Sequence, residues 1–204
     1  TQLHIHNGVI SVNGGAEPSV TVKEVAGRLA PHMILGHGLR GANPKEVSIR
    51  TFGAQCVEVE VDIATGEITL LRVAASHDCG RIINPTTVES QVIGGVTQGI
   101  GFALTEEHFI DAQSGIVLNA NLEEYKVPTV ADLPPITHAP IDLPDLAANP
   151  TGAKGIGEPP LIPTAPAIAN AIFDATGIRL QHTPLSRRAL LDALVGDTSR
   201  GRQP

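Results

Sequence analysis

Residues 152–161 read Gly-Ala-Lys-Gly-Ile-Gly-Glu-Pro-Pro-Leu, a string that leaves the backbone few choices. Gly152, Gly155 and Gly157 permit tight turning and close approach, because no Cβ stands in the way. Pro159 pushes Glu158 out of the α region, and the Pro159-Pro160 step removes two consecutive N–H donors. The expectation is a short rigid hook with Glu158 at its tip. A general base needs that kind of fixed aim, within hydrogen-bond reach of the proton it takes. Taken alone, the string also reads as a surface turn with a solvated glutamate, the ordinary place for that side chain.

A second glycine-rich stretch, residues 91–107, has a helical period. Gln91, Gly95, Gln98 and Phe102 fall at i, i+4, i+7 and i+11, one stripe of a helix. Gly94, Gly95, Gly99 and Gly101 should each weaken that helix by about 0.8–1.0 kcal/mol relative to Ala. Close approach of a ligand or of another backbone is the gain that would offset this. The amides of Gln91 and Gln98 can donate and accept together. A glycine-lined helix–helix contact, with both glutamines bonding backbone, is the other reading of the same pattern.

The rest of the chain maps coarsely. Leu3–His6 and Val9–Val12 flank Asn7-Gly8, a hairpin with a type I′ turn. Thr21 and Glu24 have capping-box spacing at the start of a short helix. Residues 32–55 read as a loop-rich excursion. Val57, Val59, Val61 and Ile63 alternate with acidic residues in a half-buried strand that turns at 64–67 into a second strand reaching Ser76. Asn84 caps a helix with Pro85 at its first position, expected to run to about Glu107. A hairpin is expected at 109–118 and a strand near Ile136–Ile141. A helix over Thr164–Thr176 is closed by Gly177. Ser186 caps a last helix, with Leu185 and Leu190 at staple spacing. Strands and helices interleave without regular βαβ alternation, so the fold class is α+β, with mixed or antiparallel strands and packed helices. One domain is expected over 1–195, followed by a flexible tail at 196–204.

Composition excludes several classes. A net charge of −7, with Arg187-Arg188 and Arg200-Gly201-Arg202 as the most basic pieces, argues against a nucleic-acid surface. Cys56 and Cys79 lack zinc-type spacing. His4 and His6 share a strand face, without further ligands that would make a metal site. No apolar run reaches the roughly 18 residues of a membrane span. No targeting segment is visible, which leaves the compartment, cytoplasmic or periplasmic, unassigned. Neither a phosphate-binding G-x-x-x-x-G-K-[ST] nor a G-x-S-x-G elbow occurs. His77-Asp78-Cys79-Gly80-Arg81 lies between strand and helix, where backbone N–H groups can hold an anion and Arg81 either a phosphate or a surface ion pair.

Three strings now stand in order: His77-Asp78-Cys79-Gly80-Arg81-Ile82-Ile83-Asn84-Pro85, the run 91–107 and the Gly-Glu-Pro-Pro hook. Together, from about Phe52 to Leu194, they resemble the molybdenum-binding large subunit of the xanthine dehydrogenase and aldehyde oxidase family, in its second molybdopterin-binding domain. The resemblance implies an oxidative hydroxylase acting on aldehydes or N-heterocycles, with water as the oxygen source and Glu158 as the catalytic base. It implies cofactor contacts at Gln91, Gln98, Gly94, Gly95, Lys154 and Gly155. The glutamine amides then suit the edge of the pterin, and Lys154 is expected to orient Glu158, contact the cofactor or face solvent. The implied cofactor is molybdenum-molybdopterin cytosine dinucleotide, held by its own dithiolene sulfurs without a protein metal ligand. Iron–sulfur and FAD partners would carry electrons away. The family's large subunit is several times longer and includes a first cofactor-binding half. The chain is therefore expected to be part of such a subunit and inactive alone. A noncatalytic cofactor-binding or assembly module that keeps the fold is the alternative.

Overall fold

Alternation along 55–63 builds the long hairpin that organises the molecule. In the computed structural model, which describes every residue except Thr1, Gly14, Ala16, Glu17, Ala30, Ile34, Arg40 and 200–204, β4 spans Phe52–Asp62 and β5 spans Glu67–Asp78. The two pair antiparallel from Phe52↔Asp78 to Asp62↔Glu67, with a register shift at Glu58/Val59. The turn between them is fixed by Asp62, whose Oδ1 accepts from Ala64 N at 2.8 Å, and by Gly66 at φ 72°. A short strand, β6 (Ile136–His138), joins β5 in parallel, giving a mixed sheet in the order β4-β5-β6.

Two helices cover one face of that sheet. The first, α2 (Pro85–Leu104), starts as the sequence predicts: Asn84 accepts from Thr87 N, and Pro85 stands where no N–H is needed. It stops at Leu104, short of the expected Glu107, because the Gly101 carbonyl accepts from both Thr105 N and Glu106 N and closes the last turn. Its apolar stripe Val92, Val96, Ile100 and Ala103 is fully buried against Val73 and Ala75 of β5 and Ile168 and Ile172 of α3 (Thr164–Thr176). Gly177, at φ 74°, ends α3 in the left-handed conformation its sequence position implied. Leu185 and Leu190 are both buried and clip the start of α4 (Arg187–Ser199) to this core. Thus α4 continues through Gly196–Ser199, where a loose tail was expected; the remainder of that tail, 200–204, lies outside the described residues.

The chain divides into two compact units, Thr1–Ala42 and Asn43–Pro204. Among the described residues, 31–51 contain no helix or strand. Gly36-His37-Gly38-Leu39-Arg40-Gly41 there has the spacing of a dinucleotide fingerprint, which needs a strand before it and a helix after it; neither is present among the described residues. The first unit is a three-stranded antiparallel sheet, β1 (Leu3–His6), β2 (Val9–Val12) and β3 (Ser19–Thr21), followed by α1 (Val22–Leu29). Asn7 and Gly8 have φ 47° and 73°, as the type I′ turn requires. The capping box is reciprocal: Thr21 N donates to Glu24 Oε2 and Glu24 N to Thr21 Oγ1. In the second unit, the hairpin expected at 109–118 reduces to one bridge, Ile110↔Val117. Phe109, Ile116 and Leu118 are exposed there, so no buried face holds longer strands in register.

Candidate active site

The hook stands on two buried feet. Upstream, Ala153 bridges Gly80, Lys154 N donates to Cys79 O at 2.7 Å, and Arg81 N donates to Gly152 O at 2.8 Å. Gly152 sits at φ 72° against Pro144, so this position requires glycine. Lys154, expected to orient Glu158, contact the cofactor or face solvent, has its side chain turned inward. Its Nζ donates to Asp78 Oδ2 at 2.5 Å and to Arg50 O at 3.0 Å, with Asp145 Oδ2 at 3.7 Å. Only 8% of the Lys154 and Asp78 side chains is exposed, which makes this a buried pair that braces the hook. Midway, Thr51 Oγ1 donates to Gly155 O.

Downstream, Gln55 Nε2 donates to Pro160 O at 2.6 Å, and Leu161 N closes a turn onto Glu158 O at 3.0 Å. Between the feet, Gly157 and Glu158 are exposed. The crest is narrow, accessible and tethered on both sides.

Helix α2 meets the downstream foot through its glycines. A Cβ on Gly95 would stand 2.7 Å from Pro160 Cβ, and one on Gly99 would collide with Thr164 at the start of α3. One on Gly101 would collide with Glu106 and Pro128. Packing within this chain therefore accounts for these three positions, with another helix as the neighbour at Gly99. Gly94 differs: it is exposed, and a Cβ there meets nothing within 4 Å. Gln91 and Gln98 are also exposed, and among the described residues no hydrogen bond ties either amide to backbone. Gln91 lies one turn before the Gly95–Pro160 contact, so α2 and the hook touch next to that amide. Gln98 and Phe102 line a groove of about 570 Å³ with Leu161, Ile162 and Pro166; Glu158 is not among its lining residues.

Three backbone donors of the segment 77–82 are already engaged. Gly80 N donates to Asp78 Oδ1, Arg81 N to Gly152 O and Ile82 N to Asp142 Oδ1. Its role is to seat the hook. Burial, reinforced by the neighbouring Asp78 charge, pushes the Cys79 thiol up, which suits a packed residue and not a nucleophile. Among the described residues no three His, Cys, Asp or Glu side chains gather to hold a metal ion.

Comparison with known proteins decides the family. Residues 1–134 match the model of the molybdopterin cofactor-binding domain. The chain belongs to that family. It is 39% identical over 194 residues to the putative xanthine dehydrogenase molybdenum-binding subunit XdhA of Escherichia coli K12, covering 92% of this chain and 25% of the relative. It is 43% identical over 154 residues to the aldehyde oxidoreductase molybdenum-binding subunit PaoC of the same organism, covering 76% and 21%. Reconstituted CO dehydrogenase from Oligotropha carboxidovorans superposes with a TM-score of 0.80 at 30% identity, over 98% of this chain and 25% of that one. Quinoline 2-oxidoreductase from Pseudomonas putida 86 gives 0.77 at 25% identity, over 95% and 26%. This molybdopterin cofactor-binding domain thus spans about a quarter of the length of the relatives it matches. The expected family and α+β fold are both borne out.

The donor set fits the group the family name implies. Exposed neutral amides at Gln91 and Gln98 and an open backbone at Gly94 can face a heterocycle that both donates and accepts. Reading the sequence missed Gln55 and Thr164. The signal was present: Gln55 continues the inward set Val57, Val59, Val61 by one step, so a polar side chain had to point at the core.

Proposed function

We propose that this domain forms one wall of the active site of a molybdenum hydroxylase, with Glu158 as the general base. The observation that carries the proposal is the exposed Glu158 on a crest whose feet are locked by Lys154–Asp78 and Gln55–Pro160. When bound, the cofactor supplies two-electron oxidation of substrate, with water as the source of the added oxygen. Glu158 takes the proton released as that oxygen adds. Gln91 and Gln98 orient the pterin edge through their amides, and Gly94 and Gly155 leave room for it. The buried ion pair and the Pro159-Pro160 step keep Glu158 from collapsing onto the protein.

The substrate class is an aldehyde or an N-heterocycle, in keeping with the names of the aldehyde oxidoreductase and quinoline 2-oxidoreductase relatives. The cofactor form is the cytosine dinucleotide, and electrons leave through iron–sulfur and FAD partners. The rest of a large subunit completes the site. Phe109, Ile110, Ile116, Leu118, Leu143 and Leu146 are exposed apolar residues available to it. This domain by itself binds the cofactor weakly and does not turn over.

The test is Glu158→Gln in the assembled enzyme, with turnover normalised to bound molybdenum. The change keeps size and hydrogen-bonding capacity but removes the base, so turnover should fall by about 10²–10⁴-fold. Folding and molybdenum content should stay at wild-type levels. Wild-type turnover per molybdenum would remove Glu158 from the mechanism and favour the noncatalytic cofactor-binding module.

A further inference from the structure

We propose that Gln55, on the strand opposite the hook, is a positioning residue that sets the aim of Glu158 by holding the carbonyl of Pro160. This inference rests on Glu158 being the base.

Every polar atom of the Gln55 amide is engaged. Nε2 donates to Pro160 O at 2.6 Å, Nε2 lies 3.3 Å from His77 Nε2, and Oε1 accepts from Thr164 Oγ1 at 2.7 Å. The orientation of the amide is set by chemistry. A carbonyl can only accept, so the nitrogen must face Pro160, and the oxygen is left for the Thr164 hydroxyl. The second N–H then points at His77 Nε2, which has to be the unprotonated nitrogen of a neutral ring. Burial of His77 lowers its pKa and favours that state. Gly53 lets the ring in, since a Cβ there would overlap His77.

The amide therefore ties three elements at one point: β5 through His77, α3 through Thr164 and the hook through Pro160. Pro160 is two residues beyond Glu158, and the intervening chain is short and stiffened by the proline pair. Because Leu161 N also bonds Glu158 O, the turn carrying Glu158 is closed onto the residue next to the clamp. Pro160 O also accepts from Thr164 Oγ1, at the longer distance of 3.2 Å, so losing the 2.6 Å bond from Gln55 leaves the weaker hold and loosens the turn about its upstream foot. Lys154 fixes where the hook leaves the sheet, and Gln55 fixes where it lands.

The experiment uses the complete molybdenum enzyme carrying Gln55→Met, which keeps side-chain length without the amide. A second variant, Gln55→Glu, keeps an acceptor for Thr164 but loses the N–H to Pro160. Hydrogen exchange is followed at the Leu161 amide in both cofactor-loaded and cofactor-free protein, and kcat and KM are measured per molybdenum. Both variants should speed Leu161 exchange while α2 and β5 amides keep their protection. Misplacement of the base should lower kcat by about ten- to a hundredfold with KM unchanged. Combining Gln55→Met with Glu158→Gln should add no further loss, because the two act as one unit.

Native Leu161 exchange in both variants overturns the clamp. Faster exchange with native kcat, or an additive double variant, overturns its action through Glu158. Native turnover in Glu158→Gln overturns the assignment of the base itself, and the exchange measurement still decides the clamp.

Discussion

Helix α2 and the hook are both glycine-rich, yet glycine does different work in each. On α2, Gly95, Gly99 and Gly101 are demanded by neighbours within this chain: Pro160, Thr164, and Glu106 with Pro128. In the hook, only Gly152 is demanded, by its positive φ and by Pro144. Gly155 and Gly157 meet nothing within 4 Å and do not have a positive φ, like Gly94 on the open side of α2. One set of glycines lets elements of this domain touch. The other leaves space beside Gln91 and Glu158 that the domain itself does not use. Composition treats the two sets alike; only the neighbours separate them.

The largest effect should come from the hook's upstream foot. Lys154→Met leaves Asp78 buried without its cation and should destabilise the second unit by about 3–5 kcal/mol, read as a lower urea midpoint. Pairing it with Asp78→Asn should recover much of that loss. A single variant as stable as wild type would show that Lys154 does not brace the hook.

Next is the helix seam. Gly99→Ala drives a methyl into Thr164 and should cost about 1–3 kcal/mol despite better helix propensity. A stabilised variant would mean that α2 and α3 can move apart freely, and the packing account of these glycines would fail.

Gly94→Ala should go the other way, with a gain of about 0.8–1.0 kcal/mol from helix propensity on an open face. If the proposed cofactor contact is correct, the same variant retains less molybdenum in the assembled enzyme. Higher stability with full metal content would assign Gly94 no role beyond its place in the helix.

The smallest effect belongs to Gly155→Ala, where open space and an ordinary backbone keep the stability change within about 0.5 kcal/mol. Thermal melting checks that. A loss of several kcal/mol would show that the hook needs glycine throughout, and the distinction between its feet and its crest would collapse.

Most element types were legible because local chemistry specifies them. Asn84-Pro85, Gly177, Asn7-Gly8 and the Thr21–Glu24 box each satisfy or shape a few backbone groups within four residues, and all appear in the structure as read. Endings decided by distant partners were not legible. The stop of α2 at Leu104 goes with the close packing of Gly101 against Pro128, and the 109–118 hairpin stays at one bridge for want of a buried face. The candidate site divides in the same way. An exposed Glu158 on a tight turn follows from the Gly and Pro residues beside it. The inward turn of Lys154 does not, because Asp78 lies 76 residues away in sequence.

By itself, then, the sequence determined the family, the α+β class, the capped helices and the exposed carboxyl group on a constrained turn. The family was read from the resemblance of three ordered strings; the rest follows from backbone preferences and side chains a few residues apart, which act in any context. The tertiary structure alone decided which glycines are seams and which are openings, that Lys154 is a brace, and that Gln55 reaches Pro160 across 105 residues of chain. A hydrogen bond or a methyl-sized collision depends on where two remote backbones come to rest, and that is set only when the sheet and its helices pack around one core.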